Sequence, residues 1–327
     1  MHTPPRRERS AVSLRHQKQG ESVRTIIIAL IANVVIAIAK LIAGLMSRSS
    51  GMMAEAAHSF ADSLNEVLLG ISVRRARQPP DVEHPLGHGR EQFLWAFLAA
   101  IGSFLIGGCI SIGLAIRSLE RGTEMRHSIA DWIVLAVAFV ADGTSWLQSM
   151  RQARTQAKEF ERTVYDYLVR ASDPTVRAVV VEDSAALIGL VIAAGGLLVS
   201  KVTNSGMPDA IASLLIGILL AVTAVLLARP LADFLVGRSL PVEDVEELEK
   251  LILASPCVEQ ILSLQAVYSG PEEVIVAAKI HPKAGIAIDE LAREMDALDQ
   301  KIRAQSQLVA DVFLDLTARR FEDLPKR

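Results

Sequence analysis

His58, Asp62 and Glu66 recur every four residues in the apolar run GMMAEAAHSFADSLNEVLLGISV (51–73), so a helix puts them on one face, with Asn65 beside them. An imidazole and a carboxylate one turn apart can reach the same divalent ion, because His nitrogen and Asp or Glu oxygen bind Zn²⁺ at about 2.0–2.2 Å. The alternative is a polar seam buried between helices. Two ionisable groups in succession within one apolar run are hard to explain by packing alone, since a charge at mid-bilayer costs roughly 3 kcal/mol on insertion scales.

Four further sets of polar residues interrupt apolar or turn-rich sequence. RAVVVEDSAALIGLVIAAGG (177–196) carries Glu182 and Asp183, which lie about 100° apart on a helix and cannot both point squarely at one ion. Asp183 completes a site with His58 and Asp62 if the two helices face each other; for Glu182, an acid at a helix end reaching water or Arg177 is an equal alternative. Asp142 (VLAVAFVADGTSWLQSM, 134–150) is a proton relay or a helix-packing partner, and Lys40, on the first apolar run with Asn33, snorkels or pairs with an acid rather than binding a cation. QPPDVEHPLGHGREQF (78–93) spaces Asp81, His84 and His88 by three and four residues around Pro85, Gly87 and Gly89. That is a candidate surface Zn²⁺ site, although histidine-bearing loops also occur for ordinary reasons. His281 stands alone at a strand end, and His2, His16 and His127 are isolated.

The elements that must position these residues follow from composition. The chain has 327 residues, 51% hydrophobic and 22% charged, and its mean hydropathy of +0.34 points to a membrane protein and excludes disorder. A net charge of -3 offers nucleic acid no bulk attraction, and two cysteines, Cys109 and Cys257, form neither a disulfide framework nor a CxxC motif. Six apolar runs, near 25–46, 52–73, 93–116, 129–150, 178–200 and 209–228, have the roughly 20 residues a transmembrane helix needs. The first is too long for the apolar core of a signal peptide and lacks a small-residue cleavage pattern. Lys and Arg number sixteen before span one, between spans two and three and between spans four and five, against five in the alternate connections. Both termini are therefore expected in the cytoplasm.

Hydropathy falls after Arg229-Pro230, and a soluble part starts near Leu240. Residues 242–254 read as an amphipathic helix, 259–268 and 273–281 as strands, 287–304 as a second helix and 308–316 as a third strand. The expected fold is an all-α membrane domain of six transmembrane helices plus a small α+β (αββαβ) cytoplasmic C-terminal domain. The divisions are a basic cytoplasmic segment at 1–24, the transmembrane domain at 25–238, the αββαβ domain at 240–317 and a tail at 318–327.

Taken together, six spans, His-x-x-x-Asp in the second, an acid in the fifth, Pro-Leu-Gly-His-Gly-Arg-Glu before the third, Asp-Ala-Ile-Ala-Ser at 209–213 and an αββαβ tail resemble the cation diffusion facilitator family of zinc and related divalent-metal transporters. The resemblance runs from about Arg24 to Leu316. It implies an intramembrane site on His58, Asp62 and Asp183 and a cytoplasmic loop site on Asp81, His84 and His88. Within the family this chain looks like a branch with Glu-Asp-Ser-Ala-Ala in the fifth span. Where the family has a second fifth-span ligand, four residues before Asp183, this chain has Val179, which cannot ligate a metal; Glu66, Asn65, Glu182 or water is left to supply the fourth ligand.

The resemblance further implies exchange of a divalent ion for protons across the bilayer by alternating access, with export from the cytoplasm. Zn²⁺ is the first expectation, and Mn²⁺, Fe²⁺ and Co²⁺ are compatible with the ligands. The metal is substrate rather than cofactor, the chain is not an enzyme and sits in an inner or plasma membrane, and its cytoplasmic tail makes a homodimer while holding little or no metal. Two other classes stand beside this reading. One is a membrane metal sensor that binds without flux; the other, an intramembrane metalloenzyme, has no HExxH or Gly-x-Ser-x-Gly to support it.

Overall fold

The computed structural model describes residues 30–122, 128–159, 163–170, 174–271, 273–306 and 308–319. The basic N-terminal segment, His2, His16, His127 and the chain end beyond 319 lie outside them. The fold is mostly helical and falls into two compact units: one gathers the chain up to Leu68 with Ala99–Lys158 and Ala178–Leu227, the other Leu69–Leu98, Glu159–Arg177 and Ala228–Arg327.

In order, the helices are α1 (Leu30–Ser47), then α2 (Ser50–Ala76), α3 (Glu91–Ser103), α4 (Cys109–Arg121), α5 (Ile129–Glu159), α6 (Val164–Arg170), α7 (Pro174–Thr203) and α8 (Met207–Val236). Among the described residues, five helices or helix runs are long and apolar enough to cross a membrane: α1, α3 continued into α4, α5, α7 and α8. α2 is as long, at 27 residues, but its polar and ionisable residues keep it out of that set. The seven-residue α6 was not expected from periodicity.

The first unit is apolar on its outside as well as its inside. Ile31, Val35, Ile38, Ile42 and Leu45, spaced three and four apart along α1, are all exposed, a stripe that water would not tolerate and lipid does. Its interior is made of small and branched residues from five helices, with Ala43, Met52, Ala54, Leu135, Ala138, Leu190, Ala193, Ile216 and Leu220 in one cluster. Between α3 and α4 the helix makes one π-helical turn, Phe104–Gly108. Ser111 Oγ donates to the Gly107 carbonyl at 2.6 Å, and a Cβ on Gly107 would sit 3.5 Å from His58 Cα and 3.5 Å from Ala61 Cβ. This irregular turn therefore packs on the backbone that carries His58, and π turns recur at functional positions.

The N-terminus of α2 is closed by an acid from α8. Asp209, 1% exposed, accepts from Ser49 Oγ at 2.6 Å, Ser50 Oγ at 2.9 Å and Gly51 N at 3.1 Å, while Ser49 Oγ accepts from Met52 N at 3.0 Å. Orphan donors of the first turn are thereby satisfied, and the carboxylate faces the positive end of the helix.

In the second unit the C-terminal elements are α9 (Val242–Leu253), β1 (Val258–Gly270), β2 (Glu273–Pro282), α10 (Ile288–Gln305) and β3 (Val309–Leu316), each within two residues of the bounds read from sequence. The sheet order is β1-β2-β3, antiparallel between β1 and β2 and parallel between β2 and β3. Alternate β2 residues Val274, Val276, Ala278 and Ile280 are buried, as are Leu248 and Ile252 of α9 and Leu298 and Ile302 of α10. The two-residue and helical periods thus build one small core. α8 does not stop at Pro230, where hydropathy falls, but continues through it to Val236. Pro230 costs a helix about 3 kcal/mol in a free interior. The turn beyond it carries Phe234, which stacks on Phe93 at 4.7 Å and meets Tyr268 edge-on at 5.3 Å.

Candidate functional site

Two groups of side chains stand out, one in each unit. In the first, His58 is 2% exposed and its Nδ1 lies 3.3 Å from Asp62 Oδ1, without the alignment of a hydrogen bond. Among the described residues, His58 Nδ1 and Nε2, Asp62 Oδ1 and Glu55 Oε1 are buried atoms that make no hydrogen bond. All belong to α2 and all are metal-binding atom types. Buried polar atoms are normally paired, so four such atoms within two turns mark a place meant for another ligand.

The neighbours arrange themselves by helix. From α1, Asn33 Nδ2 donates to Glu66 Oε1 at 2.6 Å. From α7, Glu182 Oε1 accepts from Asn65 Nδ2, and its carboxylate is an electrostatic neighbour of Asp62. Asp183 instead accepts from Ser145 and Ser149 of α5, at 2.9 and 3.3 Å. The structure therefore brings His58 and Asp62 together, ties Glu182 to α2 through Asn65, holds Glu66 on α1 and turns Asp183 toward α5. The split between Glu182 and Asp183 is the 100° step between adjacent helical residues. Gly189, two turns after Glu182 on the same face, confirms which side of α7 meets α2, because a Cβ there would overlap Glu55 Oε1. Val179 is half-buried one turn before Asp183.

Sequence reasoning missed Glu55. Its Oε2 lies 3.1 Å from Lys40 Nζ, with both side chains essentially buried, and the ammonium also donates to Ser59 Oγ at 2.8 Å. Lys40 thus pairs with an acid, as one of its expected readings had it. The signal was present: Glu55 lies seven residues before Asp62, hence on its face, in the same apolar run. Asp142, half-buried on α5, is an electrostatic neighbour of Lys40.

In the second unit the loop 77–90 is wrapped around Asp81. Its Oδ1 accepts from the backbone N–H of Glu83 at 2.9 Å and of His84 at 2.6 Å, an Asx turn. Oδ2 reaches His88 Nε2 at 3.1 Å, and His84 Nδ1 lies 3.3 Å from Oδ1. Among the described residues, Asp81, His84 and His88 are the group of three whose ligand atoms all lie within 4.8 Å of one another. Gly89 lets the loop lie on the end of β1: a Cβ there would stand 2.7 Å from the Ser269 carbonyl oxygen.

Glu91, at the first turn of α3, was also missed. Its Oε1 pairs with His88 Nδ1 at 2.7 Å and its Oε2 accepts from Trp95 Nε1 at 3.3 Å. A carboxylate on the far ring nitrogen is what orients a metal-binding histidine. The backbone N–H of His84, then the His88 side chain, hold the Asp81 carboxyl down at about 2. The hydrogen bond to Glu91, followed by that to Asp81, raises His88 above its ordinary value.

Residues 26–236 match the cation efflux transmembrane domain, and the chain belongs to that family, the cation diffusion facilitators. It is 30% identical over 234 residues to metal tolerance protein C4 of Arabidopsis thaliana, covering 72% of this chain and 51% of that one. It is 29% identical over 241 residues to the mitochondrial proton-coupled zinc antiporter SLC30A9 of Mus musculus, covering 74% and 42%. With the manganese efflux system protein MneP of Bacillus subtilis it shares 26% identity over 256 residues, covering 76% and 80%. The chain thus spans about half the length of the first two relatives. The antiporter and the efflux system protein are named for transport.

Proposed function

We propose that the chain is a secondary-active transporter that exports divalent metal ions, Zn²⁺ first and Mn²⁺, Fe²⁺ or Co²⁺ as alternatives, in exchange for protons. The observation that carries this reading is the set of unpaired buried atoms on α2, Glu55 Oε1, His58 Nδ1 and Nε2 and Asp62 Oδ1, inside a cation efflux domain. The ion is taken by His58 and Asp62, with Asn65 and the α7 acid Glu182 completing its shell, while Asp183 stays on the two serines of α5. Ligation needs ionised carboxylates and a free imidazole nitrogen, so protons and metal compete for the same atoms and exchange is built into the site. The names of the mouse zinc antiporter and the bacterial manganese efflux protein support the ion class, and the former supports proton coupling.

In this reading α2 also spans the membrane and completes the set of six, sequestering its polar face inside the bundle, and both termini and the loop site face the cytoplasm. Asp81, His84 and His88 are a second, peripheral ion site, and the αββαβ domain pairs two copies of the chain. Uptake of Zn²⁺, Mn²⁺ and Co²⁺ by proteoliposomes under an imposed pH gradient tests it; binding without flux contradicts it.

A further inference from the structure

Lys40 is a buried cation of the first unit with three acids, Glu55, Asp62 and Asp142, as electrostatic neighbours. Its side chain is 1% exposed, and its ammonium holds Glu55 Oε2 at 3.1 Å and Ser59 Oγ at 2.8 Å. It is an electrostatic neighbour of His58, Asp62 and Asp142 as well. Stability does not call for such a pair, because the desolvation of two buried ions offsets their attraction, and apolar residues of similar volume often serve as well or better. Nor does it use up Glu55: the other carboxylate oxygen, Oε1, is buried without a hydrogen bond against Gly189 of α7. A fixed positive charge beside a cation site works against binding, so its presence there needs a reason in the transport cycle.

Transport supplies one. A carrier must bind its ion firmly enough to select it and loosely enough to let it go. With both carboxylates ionised, as metal binding requires, Lys40, Glu55 and Asp62 together carry one net negative charge; without Lys40 that charge doubles, within a low-dielectric interior where each unit matters more than in water. We propose that Lys40 sets the affinity of the α2 ion site, cancelling the Glu55 charge beside His58 so that a bound divalent ion can be released. Lys40 is a positioning and charge-setting residue here, not a ligand, and the inference rests on the transport reading above.

The test is Zn²⁺ uptake by the full chain in proteoliposomes, with KM and maximal rate measured separately for wild type, Lys40→Met, Glu55→Gln and the double variant. Lys40→Met is expected to lower KM about tenfold while slowing turnover, Glu55→Gln to raise KM about tenfold, and the double variant to return KM toward wild type. A packing role alone would lower the amount of active protein and the maximal rate while leaving KM in place, with no rescue in the double variant. KM values that move in the same direction, or do not move, overturn the inference. Should Lys40→Met fail to insert, the pair Glu55→Gln and double variant decides: a KM raised in the first and still raised in the second makes Glu55 a ligand and removes the role of Lys40. A wild-type chain with no uptake removes the transport reading and the inference with it.

Discussion

His58 Nδ1 and Asp62 Oδ1 stand 3.3 Å apart on consecutive turns of α2, and neither atom makes a hydrogen bond. A stabilising hydrogen bond would be aligned; this pair leaves both atoms with unused bonding capacity. Replacing Asp62 by Ala is therefore expected to cut Zn²⁺ uptake at least ~100-fold while costing under about 1 kcal/mol of stability, since no native hydrogen bond is lost. Uptake and thermal unfolding in detergent measure the two effects. Full transport by the variant would remove Asp62 from the site.

Glu182 and Asp183 are expected to separate. Glu182 reaches α2 through Asn65 while Asp183 is held by two serines of α5. Glu182→Gln should raise KM for Zn²⁺ by about tenfold or more, and Asp183→Asn should change it by about threefold at most, in line with the loss of a charge-assisted contact against that of a packing contact. The reverse order would show that α7 rotates to bring Asp183 onto the ion.

Metal binding at the loop should depend on pH through His88. Its raised pKa keeps a proton on the ring to higher pH than the ordinary 6.5, so an arriving ion must displace that proton, and affinity rises with pH until His88 is neutral. Asp81, held at about 2, stays ionised throughout this range. Folding follows the same signs: the His88 pairing contributes below its unfolded pKa and is lost as pH rises through the raised one, whereas the Asp81 contribution is lost only as pH falls toward about 2. Calorimetry of Zn²⁺ binding in buffers of different ionisation enthalpy should show more proton release near about pH 6.5 than near about pH 9, and Glu91→Gln should reduce the difference. Equal release at both pH values would contradict the assignment.

Asp209→Ala should be destabilising, because it strips three donors at the start of α2 of their acceptor. A loss of about 3 kcal/mol is expected for buried donors left unsatisfied, read as a lower unfolding temperature in detergent. Asp209→Asn, which keeps an acceptor oxygen, should recover part of it.

Much of this was legible in the sequence, for physical reasons that also set the limits. Periodicity places elements, so α9, β1, β2, α10 and β3 fell within two residues of their expected bounds. Local spacing places residues on faces, so the loop group at Asp81, His84 and His88 and the His58 and Asp62 turn were readable. Pairings between helices were not. Lys40 finds Glu55 fifteen residues away and Asp209 finds Ser49 across 160, distances over which a sequence carries no period. The π turn at Phe104–Gly108 leaves an apolar run unchanged in composition, and α8 runs past the hydropathy fall at Pro230 because Phe93 and Tyr268 receive Phe234.

The central claim is coupled flux through the α2 site. Proteoliposomes containing the full chain, loaded with a Zn²⁺ indicator and given a pH gradient, should accumulate Zn²⁺ against its concentration when protons run the other way. They should stop when the gradient is collapsed and fail to accumulate with His58→Ala. Uptake that ignores the pH gradient, or that survives His58→Ala, would contradict the account.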